Sequence, residues 1–137
     1  MRISAPDFSL THTISSGQSF RWRLRDGWHE GFISGLPIRA HQIGDFLEID
    51  DFGAGLNAES IRNYFALDLP LGKILASIDV DKRIHEAITQ LRGLRILRQE
   101  PWECLASFIC SSFNNIKRIE GMIDRICLAF GERIVCD

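Results

Sequence analysis

Residues 100–131 read EPWECLASFICSSFNNIKRIEGMIDRICLAFG. Trp102, Leu105, Ala106, Ile109, Cys110 and Phe113 recur at helical spacings, which places them on one apolar stripe. Pro101 suits a first helical position, and Glu100 and Glu103 put negative charge in the opening turn, where the helix dipole favours it. Ile116, Ile119, Ile123, Ile126, Cys127 and Phe130 repeat the pattern in a second helix that Gly131 ends. Between the two, Asn114 and Asn115 supply side chains suited to turns and caps. Lys117 and Arg118 then open the second helix with positive charge, which its dipole disfavours. A polar, basic and locally unfavourable corner invites an anionic partner.

Working back from this pair, Gly93 to Gln99 form a basic connector, and the stretch before it has helical period. Asn57 is placed to cap a helix carrying Ile61, Tyr64 and Phe65, and a short helix around Ile74 and Leu75 follows Pro70. Asp79 or Asp81 caps a third, with Ile84, Ile88 and Leu91 on one face before Gly93. Upstream of Asp51 the period becomes that of antiparallel sheet. Phe8 and Leu10 alternate with polar neighbours; Phe20, Trp22 and Leu24 alternate with Arg21, Arg23 and Arg25. Asp26-Gly27 marks a hairpin into a strand over 28–34, Leu36-Pro37 begins another through Ile43, and Gly44-Asp45 turns into Phe46 to Ile49. The expectation is an α+β chain of about five strands, with the three middle helices covering the apolar face of the sheet.

The chain has 137 residues, 45% hydrophobic and 25% charged, a globular composition that excludes disorder as its main state. The net charge of −2 gives a nucleic-acid reading no support as a total, so such a reading rests on local clusters. One exists: residues 92–118 carry Arg92, Arg95, Arg98, Lys117 and Arg118 against Glu100 and Glu103 alone, whereas 39–81 are rich in acids. Cys104, Cys110, Cys127 and Cys136 show no C-x-x-C pair, and His12, His29, His41 and His85 are scattered, so no metal site is expected. No signal peptide or long apolar run is present, which makes a reducing, cytoplasmic setting the default and leaves membrane association unexpected.

Two motifs go beyond these patterns. SFICSSFNNIKRI at 107–119, preceded by LRQEPWEC at 97–104, resembles the segment that enters the DNA minor groove in the 8-oxoguanine DNA glycosylase/AP lyase family, and SGQSFRW at 16–22 resembles that family's amino-terminal signature. The resemblance implies a TATA-binding-protein-like α+β domain over 1–98, an antiparallel sheet with flanking helices. The start of an all-α glycosylase domain follows over 99–137. It also implies double-stranded DNA containing oxidised guanine as partner, a monomer, no cofactor, and a nuclear or nucleoid-associated setting according to the type of cell. In the family a lysine attacks C1′ of a flipped nucleotide through a Schiff base. The chain's lysines are Lys73, Lys82 and Lys117, and none follows a Gly-x-Gly hairpin, so no catalytic residue is expected in it. Alone it is expected to bind DNA weakly and not to turn over. The alternatives are a non-catalytic DNA- or protein-binding module derived from the family, and a scaffold that shares only its ancestry.

Each site residue has a plain reading beside the one the resemblance implies. Gly17 either serves a turn needing positive φ or offers its carbonyl to the damaged base; oxidised guanine carries a proton on N7 where guanine has a lone pair, so a fixed acceptor separates the two. Phe113 stands where the family's motif has asparagine, and is either the end of an apolar stripe or an aromatic wedge that fills the gap left by an extruded base. Asn114 and Asn115 shape the corner, the second as a helix cap; Arg118 is either a solvated charge or a contact to the orphaned base; Lys117 is assigned a phosphate contact. The basic face of Arg21, Arg23 and Arg25 reads as solubility.

Overall fold

The computed structural model describes residues 1–134. The sheet has five antiparallel strands, β1 (Arg2–Ser4), β2 (Arg23–Arg25), β3 (Trp28–Ile33), β4 (Leu36–Ile43) and β5 (Phe46–Asp50), in the order β1-β5-β4-β3-β2. The Asp26-Gly27 hairpin forms as its chemistry dictates, with φ of 48° and 80°, the paired left-handed conformation of a two-residue turn. Ser34 and Gly35 repeat it at 51° and 78°. Ile33, Ile38, Ala40, Leu47 and Ile49 alternate onto the buried face.

Two amino-terminal elements depart from the expected pattern. Phe8 and Leu10 do not belong to a strand: Ser9 accepts a hydrogen bond from the His12 N–H at 3.2 Å and caps α1 (Leu10–Ile14). A helix of five residues is too short to display its period, and both side chains are buried, so they imitate alternation. The expected number of strands is restored by β1, which pairs at the edge with β5 through Arg2↔Glu48 and Ile3↔Leu47. The apolar run Phe20, Trp22, Leu24 is also not one strand face, because Leu24 is 67% exposed while Phe20 and Trp22 enter two different cores.

The larger core packs Trp22, Ile33, Ile38, Leu47 and Ile49 against Leu10 and Ile14 of α1 and against Ile61, Tyr64 and Phe65 at the end of α2 (Ala58–Tyr64). Trp22 lies so close to Gly31 that a Cβ there would come within 2.4 Å of the indole, and the indole N–H donates to the Tyr64 hydroxyl at 3.1 Å. Of the three middle helices, α2 covers the sheet; α3 (Leu71–Ile78) and α4 (Lys82–Gln90) contain no buried residue. Leu71 and Leu75 of α3 and Ile88 of α4 line an open cavity together with Asp7 and Gly93. The connector 94–100 has no regular structure and leads into α5 (Pro101–Ser111) and α6 (Ile116–Phe130).

The smaller core consists of Phe20, Cys110, Ile119 and Ile123, with Met122 and Cys127 against it. The stripes read from the sequence are therefore buried only where Phe20 reaches them: Trp102 is 70% and Phe130 87% exposed, and Leu105, Ile109, Ile116 and Ile126 also face outward. Cys104 is exposed, Cys110 buried and Cys127 half-buried. Cys136 lies outside the described residues.

Candidate nucleic-acid interface

The corner between α5 and α6 is built by its asparagines. The Asn114 amide donates to the carbonyls of Cys110 at 3.0 Å and Ser112 at 3.2 Å, closing the end of α5, while Asn115 Oδ1 accepts from the Arg118 N–H at 3.0 Å and caps α6. Both side chains serve backbone groups, as their plain reading expects. Phe113, immediately before them, has φ of +55° and is 108% exposed. The core reading of Phe113 fails, because the ring touches no apolar neighbour that could hide it. An aromatic side chain thus stands in water on a left-handed backbone that bulky residues rarely adopt.

Beside this tip, Asn114, Lys117, Arg118, Gly121, Met122 and Arg125 line an open cavity of about 510 Å³. Arg125 was not singled out from the sequence, although its place two turns beyond Arg118 puts both on one helix face. The acids of α6 point elsewhere. Glu120 and Asp124 are held by Arg23 of β2 at 3.7 and 3.1 Å, whereas Lys117, Arg118 and Arg125 form no ion pair among the described residues. The basic strand face therefore does more than confer solubility. Arg21 reaches Glu103 of α5 at 3.3 Å while lying over the Phe32 ring at 3.9 Å, so the arginines of this face dock the helical pair onto the sheet and leave one side of α6 uniformly positive.

Gly17 lies in a bend between α1 and β2, with φ of +81° and no atom within 4 Å of the position a Cβ would occupy. Both of its readings survive. The conformation needs glycine, and its carbonyl lies outside the sheet with no hydrogen-bond donor on it among the described residues. Gln18, which sequence reasoning left without a role, ties this bend to the connector. Its side chain accepts from the Leu97 N–H at 2.8 Å and donates to the Arg95 carbonyl at 2.9 Å. Arg95 is itself buried, donating to the carbonyls of Ala66 at 2.6 Å and Leu69 at 3.0 Å, and burial pulls its pKa down. The Gly17 bend and the Phe113 corner do not bond to each other; they are related through Phe20, three residues from Gly17, which packs on Cys110, Ile119 and Ile123.

Among the described residues, no group of three His, Cys, Asp or Glu side chains is placed to hold a metal ion, and no helix is long and apolar enough to cross a membrane.

Comparison with known proteins places the whole arrangement. Residues 1–105 match the family model described as 8-oxoguanine DNA glycosylase, N-terminal domain. The chain is similar to the N-glycosylase/DNA lyase of Saccharomyces cerevisiae, with 32% identity over 149 residues covering 98% of this chain and 39% of that protein. It is similar also to N-glycosylase/DNA lyase OGG1 of Arabidopsis thaliana, with 30% identity over 131 residues covering 90% and 36%. Among solved structures, MBOgg1 in complex with a low affinity DNA ligand superposes with a TM-score of 0.89 at 34% identity, over 98% of this chain and 47% of that one. The Clostridium acetobutylicum 8-oxoguanine glycosylase/lyase, in complex with dsDNA containing cytosine opposite to 8-oxoG, gives 0.85 at 28% identity, over 98% and 50%. The chain thus spans about two fifths of the curated relatives' length and about half of the solved chains'.

Proposed function

Because this chain belongs to the 8-oxoguanine DNA glycosylase family through its amino-terminal domain, we propose that it supplies the lesion-reading and strand-opening surface of a DNA N-glycosylase/AP lyase. Its substrate is duplex DNA carrying 8-oxoguanine. The observation that carries this reading is Phe113, fully exposed on a left-handed backbone beside a basic cavity. Nothing in the packing holds the ring there, whereas a duplex does: an aromatic side chain inserted at a base step stacks in the gap and offsets the unstacking cost of a few kcal/mol. Lys117, Arg118 and Arg125 neutralise the phosphates flanking that step, and Arg118 also meets the orphaned base. Gly17 offers its carbonyl to the N7 proton of the flipped lesion, an acceptor that repels the lone pair of undamaged guanine. With Phe113 in place of the family's asparagine, hydrogen bonds to the orphaned base are lost, and preference for cytosine opposite the lesion weakens. In this reading residues 1–98 form the base-reading domain, and 99–137 open the helical domain that carries the wedge.

The chemistry is base flipping followed by attack of a lysine amine on C1′, which forms a C–N bond as the glycosidic bond breaks and the oxidised base leaves. The resulting aminal opens to the Schiff base that borohydride reduces. Lys73, Lys82 and Lys117 all sit at exposed helical positions, Lys82 with Glu86 at 3.8 Å, and none is assigned as the nucleophile. Borohydride trapping on duplex DNA with 8-oxoguanine opposite cytosine tests the assignment. The complete gene product is expected to be trapped and the 137-residue chain not. Trapping of the 137-residue chain would overturn the assignment by placing the nucleophile on one of these lysines or the terminal amine. Salt-dependent duplex binding without trapping by any product would favour a non-catalytic binding module.

A further inference from the structure

The Gly17 carbonyl is half of the peptide unit that joins Gly17 to Gln18, and that unit is planar, so its direction is set by whatever holds the two flanking α-carbons. Gly17 cannot hold it: at φ +81° with open space around it, the residue resists no rotation. Gln18 is held at every polar atom of its side chain. Its amide nitrogen lies 2.9 Å from the Arg95 carbonyl, 2.8 Å from Ser16 Oγ and 3.3 Å from the Thr13 carbonyl, and its amide oxygen accepts from the Leu97 N–H at 2.8 Å. The Gln18 backbone carbonyl in turn accepts from Gln99 Nε2 at 2.7 Å. A flipped amide would set oxygen against the Thr13 and Arg95 carbonyls and NH2 against the Leu97 N–H, so one orientation alone satisfies the site. The partners are well anchored: the Arg95 N–H donates to Thr13 Oγ1 at 3.2 Å and the Arg98 N–H to the Tyr64 carbonyl at 2.9 Å.

We infer that Gln18 is a positioning residue whose clamp on the 95–99 connector aims the Gly17 carbonyl and so sets the discrimination between 8-oxoguanine and guanine. The inference rests on Gly17 as the lesion contact. A fixed acceptor distinguishes an N7 proton from an N7 lone pair; one free to swing away avoids the repulsion and loses the distinction.

The test is equilibrium binding of the complete gene product to three duplexes, with 8-oxoguanine, guanine or a tetrahydrofuran abasic analogue opposite cytosine. The unaltered protein is expected to prefer 8-oxoguanine to guanine by on the order of tenfold. Gln18→Met keeps the length and removes every side-chain hydrogen bond; Gln18→Glu keeps the acceptor for Leu97 and removes the donors. Both are expected to bring the preference close to unity while abasic affinity, which needs the wedge and the phosphates but no base, stays within about twofold. An unchanged preference in both variants overturns the inference and leaves the Gly17 reading standing. Equal loss of all three affinities marks Gln18 as mere scaffold and overturns it too. Absence of any preference in the unaltered protein brings down the Gly17 reading, and the inference with it.

Discussion

Phe113→Gly should move stability and DNA binding in different directions. The ring is 108% exposed, so its removal uncovers no apolar surface and leaves no cavity. The loss of about 3–5 kcal/mol that follows truncation of a core phenylalanine therefore does not apply. The backbone at φ +55° costs an L residue about 1–2 kcal/mol, and glycine escapes that cost. Against this, the greater freedom of glycine in the unfolded chain returns about 0.5–1 kcal/mol. The net is between no change and a gain of about 1.5 kcal/mol, or a rise in Tm of at most roughly 5 °C for a chain of this size. Base–aromatic stacking is worth about 1–3 kcal/mol, so the complete gene product should lose between about fivefold and roughly 150-fold in affinity for lesion-containing duplex. Thermal unfolding by circular dichroism and fluorescence anisotropy with labelled duplex give the two numbers. A stability loss above about 2 kcal/mol would show that Phe113 is a core residue after all, and unchanged affinity would show that it is no wedge. Phe113→Asn, which tolerates the same backbone, should restore hydrogen bonds to the orphaned base and strengthen the preference for cytosine.

Arg118→Ala and Arg125→Ala should each lower the slope of log affinity against log salt by about 0.9, additively if both meet phosphates; an unchanged slope for Arg125 would remove it from the interface. Gly31→Ala forces a methyl group within 2.4 Å of the Trp22 indole and should cost about 1–3 kcal/mol in urea unfolding, whereas a cost near zero would mean that Trp22 is free to move aside. His29 has its pKa lowered from 6.5, first by burial and then by His41, so the folded state favours the neutral ring. Its contribution to stability is whole above pH 6.5 and is lost as the pH falls below that value. The Tm should fall across this window and His29→Gln should flatten the fall; the Asp50 and Asp68 carboxyls, held low by their hydrogen bonds, respond only below about pH 4.

What the sequence revealed was local chemistry. Asn57, Asp81, Glu100 with Pro101, and Asn115 all begin helices where their side chains can satisfy free N–H groups, and Asp26-Gly27 turns the chain where its backbone permits. What stayed hidden depends on partners far along the chain. Phe20 and Trp22 alternate like residues of one strand, but nothing nearby in sequence says that one meets α5 and α6 and the other the sheet. The stripe through Trp102, Leu105 and Ile109 has true helical period, yet period tells only that a face is apolar, not that anything covers it. Arg23 reads as a solvated charge until Glu120 and Asp124, a hundred residues on, are folded against it. The resemblance carried by SGQSFRW and SFNNIKRI pointed to the Gly17 bend and the Phe113 corner; the hydrogen bonds of Gln18 that tie the bend to the connector, and the place of Arg125 beside the corner, became visible only in three dimensions.

The clamp on the Gly17 bend has a consequence for the order in which the molecule assembles. Gln18 meets Arg95, Leu97 and Gln99 across sequence separations of 77, 79 and 81, and Arg21 meets Glu103 across 82. The hairpins of the sheet, by contrast, close within a few residues and lie complete by Asp50. Contacts that enclose long stretches of chain bear the larger closure entropy and are made after the short ones. On a growing polypeptide the sheet can therefore pair while the Gly17 bend is still unanchored, and that bend sets only once the connector beyond Gly93 has emerged and been laid against it.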